Sequence, residues 1–320
     1  MRLSINNIRL LFVALSIIVV PVACGSEGSA DTSTQDTLPG IDVLTTIYPV
    51  TYFTQRIGGD LVNVTSLMKP GVTAHDYEPA PSDVIDLAEA DLVVYNHASF
   101  EVWVSDALDA TASGSRTVVE AAEVDPDGAG NIDPHVWLHP AKAMGMVERI
   151  RDGLITAEPT GASIFRANTD ELIAELAALR DQMRDELGHC AGSVIVVSHL
   201  AYGHLADALN IRQIGLSGLS AESETGARRV AEVIDEMKRL DLRVIMQEPL
   251  SNSDLAETVA REANAQILTL HPLEALTEEE QRAGDDYFTV MQDNIQALSW
   301  ALGCRCNFSL RKSIICFKLL

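Results

Sequence analysis

The sequence predicts an α/β protein of two lobes, each a mainly parallel sheet flanked by helices, joined by one long rigid helix. Three observations predict it. From Ile41 onward, short β-rich runs alternate with stretches of helical periodicity, the pattern of parallel sheets covered by helices. A second alternating set of the same kind begins at Val194. Between them, Leu172, Leu176, Leu179, Met183 and Leu187 recur at steps of 4, 3, 4 and 4, a single apolar stripe along an uninterrupted helix.

In the first set, strands are expected at 43–47, 62–67 and 92–95, with helices near 50–57 and 81–90. Ser82 stands where it can cap the second helix. Residues 140–156 read as another helix, with Pro140 at its first turn. The stretch 160–188 then spans roughly 40 Å at about 1.5 Å per residue, and Gly188 can end it. It reads as a backbone between lobes, not a flexible hinge. The second set runs strand 194–197, helix 200–210, helix 226–240, strand 244–247, helix 253–264 and strand 266–270, with a last helix over 287–302. The expected division is therefore a first lobe at 41–158, a linker helix at 159–189 and a second lobe at 190–303. No internal sequence repeat relates the lobes.

Ahead of the lobes, Arg2 and Arg9 precede an apolar run over 10–20 and small residues up to Cys24. This reads as an export signal over 1–23. The run is too short for a comfortable membrane span, which needs ~20 apolar residues. Pro21-Val22-Ala23-Cys24 resembles the cleavage box of bacterial lipoproteins, in which the cysteine becomes the lipidated first residue, although Leu is usual where Pro21 stands. Residues 24–40 are small, polar and poor in apolar groups, a flexible tether rather than part of a core. An extracytoplasmic protein, held at the cell membrane by lipid on Cys24 or resident in the periplasm, is expected.

The chain has 320 residues and a formal charge of −23. The export signal carries two positive charges and no acidic ones, so its removal makes the protein more acidic. Nucleic acid is excluded as a partner by this charge; a monomer is expected. Besides Cys24 there are Cys190, Cys304, Cys306 and Cys316, an even set that permits disulfides in an oxidising setting without specifying them. Cys190 and Cys304 bracket the C-terminal half, and their pairing is one hypothesis. Cys304-Arg305-Cys306 lacks the spacing of a zinc knuckle. The tail over 304–320 is basic and apolar where the rest is acidic, and fits none of the pattern.

Four histidines, His75, His135, His199 and His271, each sit in a loop context and are spread over both lobes. His75 follows a strand and a Pro70-Gly71 turn, where loops carry function more often than packing. His199 and His271 follow the first and last strands of the second set, and open α/β sheets bind ligands beyond the carboxyl ends of their strands. Singly, each histidine reads as a surface or hydrogen-bonded residue; together they point to one metal site assembled by both lobes.

Four segments carry a resemblance to a known family: His75-Asp76-Tyr77-Glu78-Pro79, Asp133-Pro134-His135-Val136-Trp137-Leu138, Val197-Ser198-His199-Leu200-Ala201-Tyr202-Gly203 and Thr269-Leu270-His271-Pro272-Leu273. With them, 41 to about 303 resembles the solute-binding proteins of ABC importers for zinc and manganese. The resemblance implies two α/β lobes joined by a long rigid helix, metal in the cleft, ligands at His75, His135 and His199, and a membrane permease as partner. At the fourth position that family commonly has Asp before Pro-Leu, where this chain has His271. Taking His271 as the fourth ligand gives an all-histidine set, which favours Zn²⁺ over Mn²⁺. Manganese-binding relatives also tend to have Glu where His199 stands. Cu²⁺ is not excluded by affinity alone.

Zinc-bound imidazoles usually donate their second ring nitrogen to an acceptor. Glu78, Glu222, Glu224 and Glu248 are candidates for that role. His139 and His204 are candidates for lining or supporting the site; Pro134 and Pro140 argue against a continuous helix that would let His139 share a metal with His135. His97 matches no ligand position. The stretch 118–132 is acidic, with Glu120, Glu123, Asp125 and Asp127, and lacks the histidine-rich loop of many zinc-binding relatives. The expected function is capture of Zn²⁺ for import, with manganese uptake as the alternative. Other classes are a surface adhesion lipoprotein, suggested by the anchor, and a zinc-dependent hydrolase. The chain has no HExxH helix, no Gly-x-Ser-x-Gly elbow and no phosphate loop, and no enzymatic activity is expected.

Overall fold

Runs of Val, Ile and Leu too short for helices pair into two sheets. A computed structural model of the protein describes residues 40–304, apart from 76, 113, 125–131, 191 and 220–224. The export signal, the tether with Cys24, Glu222, Glu224, Cys306, Cys316 and the tail lie outside the described residues. The first sheet comprises β1 (Ile41–Thr45), β2 (Val62–Ser66), β3 (Leu92–Tyr95) and β4 (Thr117–Glu120), in the order β2-β1-β3-β4 with every pairing parallel. The second comprises β5 (Val194–Val197), β6 (Arg212–Gly215), β7 (Val244–Gln247) and β8 (Gln266–Thr269), in the order β6-β5-β7-β8, again parallel. Both lobes therefore share one topology. In each, the strand order reverses beside the first strand, which opens a crevice at the carboxyl edge of the sheet.

Helices cover both faces of each sheet, so β3 and β7 are buried along their whole length and can be apolar throughout. In the first lobe these are α1 (Tyr48–Gly58), α2 (Pro81–Glu89), α3 (Val104–Ala110) and α4 (Pro140–Ala157). The long helix α5 spans Ala162–Leu187, 26 residues or about 39 Å at 1.5 Å per residue. Its stripe is buried as the periodicity requires: Phe165, Thr169, Leu172, Leu176, Leu179, Met183 and Leu187. The second lobe adds α6 (Gly203–Ala208), α7 (Ala227–Leu240), α8 (Asp254–Ala263), α9 (Glu278–Ala283) and α10 (Tyr287–Ala301). α5 packs on α1 and α4 on one side and on α10 on the other. One apolar core runs from Val43 and Val94 through Leu172 and Leu179 to Val197 and Ile295. The linker is thus a shared wall of both lobes.

Several local expectations are corrected. Ser82 does not cap α2: Ala80 is the N-cap residue, and the Asp83 carboxylate accepts the Ala80 N–H at 2.7 Å and the Tyr77 hydroxyl at 2.6 Å. The helix expected over 200–210 is only Gly203–Ala208, because 198–202 form a turn in which the Leu200 N–H donates to Gly218 O at 2.8 Å. The strands β4 and β6, which were not expected, stand at sheet edges and complete the two sheets. The disulfide hypothesised between Cys190 and Cys304 is present and joins the end of α5 to the end of α10. Among the described residues, no helix is long and apolar enough to cross a membrane.

Candidate metal site

The two crevices face one another, and four side chains from strand-following loops meet there. His75 follows β2, His135 follows β4, His199 follows β5 and Glu274 follows β8. One donor atom of each lies within 4.8 Å of all the others. The Nε2 atoms of His75, His135 and His199 stand 3.2, 3.4 and 3.6 Å from Glu274 Oε1. All four atoms are buried without a hydrogen-bond partner. Leaving such atoms unmet costs about 1–3 kcal/mol each, so their convergence marks a place for a cation.

The opposite ring nitrogens show how the imidazoles are aimed. His135 Nδ1 lies 2.7 Å from Asp133 Oδ1, and His199 Nδ1 lies 2.5 Å from Glu248 Oε1. A carboxylate accepts from Nδ1–H, which leaves Nε2 with its lone pair toward the cluster, the tautomer a metal requires. Asp133 also accepts the His135 backbone N–H at 3.0 Å, and Glu248 accepts the Ser198 hydroxyl. Asp133 lies so close to Gly203 at the start of α6 that a β-carbon there would sit 2.3 Å from Asp133 Oδ2. The absence of a side chain at Gly203 is therefore what admits the carboxylate that orients His135.

The electrostatics follow from burial and acid partners. Burial opposes charge on His199, but Glu248 and Glu274 outweigh it and push its pKa up to about 10. Burial likewise opposes charge on His135, and Asp133 and Glu274 again raise its pKa. Burial would raise Glu274, yet the close approach of the His135, His199 and His75 imidazoles holds it well below the usual carboxylate range. Without a metal, a proton on His199 balances the glutamate. A divalent cation would displace that proton.

His271 is not part of this cluster, contrary to expectation. Its backbone is clamped by Asn294, whose Oδ1 accepts the His271 N–H and whose Nδ2 donates to His271 O, both at 2.8 Å. Its ring is engaged at both nitrogens: Nδ1 accepts the Leu273 N–H at 2.8 Å, and Nε2 faces Glu280 Oε2 at 3.2 Å. Glu280 in turn closes the capping box of α9 with Thr277. The chain then reverses at buried Leu273, held at φ 61°, a left-handed conformation costly for a branched residue. That turn delivers Glu274 to the fourth corner. Sequence reasoning missed Glu274 by matching the ligand position to a histidine. The available signal was electrostatic: a buried all-histidine set leaves a divalent cation without a counter-charge, and Glu274 is the acid in the same loop.

The remaining candidates separate clearly. Glu248 touches His199. His204 Nε2 donates to Asp133 O at 2.9 Å and so braces the His135 loop. His139 is the N-cap residue of α4 and stands outside the cluster. Glu78 is exposed and away from it. His97 pairs with Ser99 and Glu120 instead.

Three imidazoles and one carboxylate form a set that suits tetrahedral zinc. Two doubly wound α/β lobes fixed by one long helix, with a donor cluster between their strand ends, define a solute-binding protein. The chain belongs to the ZnuA family, zinc-uptake complex component A, periplasmic, whose model matches residues 43–301. That family is one of solute-binding components, not of enzymes. The chain is 33% identical over 310 residues to the zinc-binding lipoprotein AdcA of Streptococcus pneumoniae, matching 92% of this chain and 60% of AdcA, so it spans about three-fifths of that relative's length. It is 31% identical over 312 residues to the high-affinity zinc uptake system protein ZnuA of Bacillus subtilis, covering 91% of this chain and 97% of that one. The structure of the Zn(II)-bound ZnuA-like domain of S. pneumoniae AdcA matches with a TM-score of 0.74 at 34% identity, over 82% of this chain and 99% of that domain.

Proposed function

We propose that the protein captures Zn²⁺ outside the cytoplasmic membrane and delivers it to the permease of an ABC importer, with lipid on Cys24 keeping it at the membrane. The observation that carries this reading is the set of four converging, buried and partnerless donor atoms on His75, His135, His199 and Glu274. Family membership, zinc binding by AdcA and zinc uptake by the ZnuA system support it.

Four protein donors fill a tetrahedral shell, so no open position remains at which a water could be activated for hydrolysis. The imidazole majority disfavours manganese, which suits carboxylate and water ligands. The single carboxylate supplies one negative charge against the cation. The shared core along α5 limits opening of the cleft to small shifts of the loops and lobes.

Metal analysis of protein purified without added metal, combined with competition against zinc chelators, tests the proposal. One Zn²⁺ per chain and preference for zinc over manganese are expected; manganese held as tightly as zinc, or no retained zinc, contradicts it. Binding should also release protons. With its pKa raised to about 10, His199 is largely protonated at neutral pH, and His135 is also raised above its ordinary value, so zinc affinity rises with pH and falls as pH drops. Calorimetry at pH 7 in buffers of different ionisation enthalpy should show at least one proton released per zinc; a buffer-independent heat contradicts it.

A further inference from the structure

Outside the donor cluster, Glu101 is a buried carboxylate that the mechanism above does not use. It is 1% exposed. Its Oε1 accepts the Thr46 hydroxyl at 2.5 Å and the Asn96 N–H at 3.0 Å, and its Oε2 accepts the His97 N–H at 2.9 Å. These donors lie just past the carboxyl ends of β1 and β3. The backbone between them closes into one helical turn, with the Phe100 and Glu101 N–H groups donating to His97 O at 2.9 and 3.0 Å. Glu101 thus ties the turn that contains it to the ends of two adjacent strands. A carboxylate buried without a contacting cation is costly unless its hydrogen bonds do structural work elsewhere.

Two paths lead from this bracket to the donor cluster. Phe100, held in the turn, sets its ring edge-on to His75 at 4.7 Å between centroids, and lies 6.0 Å from His135 and 5.9 Å from Trp137. Asn96, whose N–H is fixed by Glu101, donates through Nδ2 to Pro134 O at 3.2 Å, directly before His135. His135 and His199 are aimed by the carboxylates of Asp133 and Glu248. Against His75 stands an aromatic wall that depends on the turn closed by Glu101.

We infer that Glu101 is a positioning residue for the metal site, fixing Phe100 as the apolar wall of His75 and, through Asn96, the loop that bears His135. Its effect appears in the rate of zinc release, because the wall shields the ion from water and keeps His75 on its ligand vector. The inference rests on the zinc reading given above.

The test uses the full chain loaded with one equivalent of Zn²⁺ and measures transfer to a chromogenic chelator by stopped flow, alongside thermal unfolding. Glu101→Gln and Phe100→Ala should each speed release by roughly tenfold, the range for residues supporting metal ligands. The double variant should release no more than about twofold faster than the quicker single one, since both act through one turn. Thr46→Val, which removes one donor to Glu101, should speed release by a smaller factor. It replaces Glu101→Gln in the cycle with Phe100→Ala if the glutamine variant does not fold. Wild-type release rates in a variant of lowered Tm, or single effects that multiply to roughly a hundredfold, overturn the inference while leaving zinc binding intact. A wild-type chain that retains no zinc against the chelator overturns both readings.

Discussion

The two lobes supply unlike halves of the site. On the first lobe, His75 and His135 stand against the rings of Phe100 and Trp137, so that side offers shape and exclusion of water. On the second, His199 stands beside the carboxylates of Glu248 and Glu274, so that side supplies the anionic donor. The division is bridged by the loop carrying Glu274. Its carbonyl accepts the Tyr48 N–H at 2.9 Å, Pro272 O accepts the Trp137 indole at 2.7 Å, and Leu276 O accepts the Gly71 N–H at 2.8 Å. The charged donor of the second lobe is therefore strapped to the first.

The largest effect should come from the bridging loop itself. Glu274→Ala removes the only anionic donor of the cluster and should weaken zinc binding by more than about a hundredfold, whereas His271→Ala, three residues away, should change affinity by no more than a few-fold. Chelator competition on the two variants decides between the two residues. Equal losses would restore His271 to the site. Next in size, Glu248→Gln should weaken binding by roughly 10–100-fold, and Asp133→Asn by a similar factor, because each leaves an imidazole without its orienting acceptor. If only the Glu248 variant loses affinity, Asp133 does not hold His135 on its ligand vector. Gly203→Ala should cost up to about tenfold by displacing Asp133, with the loss confined to the His135 side. Cobalt spectra of that variant check it: an unaltered spectrum and affinity would mean that Asp133 yields without moving His135.

Smallest is the effect of loosening the strap. Tyr287 donates its hydroxyl to Trp137 O at 2.6 Å across the lobes. Tyr287→Phe should lower stability by about 1 kcal/mol, the net worth of one such bond, and leave zinc affinity unaltered. Denaturant unfolding of the apo and loaded forms separates the two outcomes. Cleavage of the Cys190–Cys304 bridge by reductant should be a global perturbation instead. It closes a separation of 114 residues, worth about 4–5 kcal/mol in the chain-entropy treatment, and should lower Tm without selecting either lobe's ligands.

Most of the frame was legible in the sequence because it follows from periodicity. The stripe from Leu172 to Leu187 is buried as its spacing requires, and the apolar runs at Leu92–Tyr95 and Val244–Gln247 are strands with those bounds. The short strands Thr117–Glu120 and Arg212–Gly215 were not legible, since edge positions relax the demand for apolar residues: Arg212 is exposed and Gln213 half-buried. Three histidines of the cluster could be read from their loops. Glu274 could not be read by residue type, because its place depends on a left-handed turn at Leu273, a conformation that leucine does not advertise. His271 misled for the same reason: its loop position was right, and its ring is spent on Leu273 and Glu280.

The central claim is that three imidazoles and Glu274 hold one zinc ion. An anomalous-scattering map at the zinc edge from crystals of the loaded protein tests it most directly. The account predicts a single strong peak about 2.0–2.2 Å from Nε2 of His75, His135 and His199 and from a carboxylate oxygen of Glu274. A peak bonded to His271, or one whose ligands exclude Glu274, would contradict it.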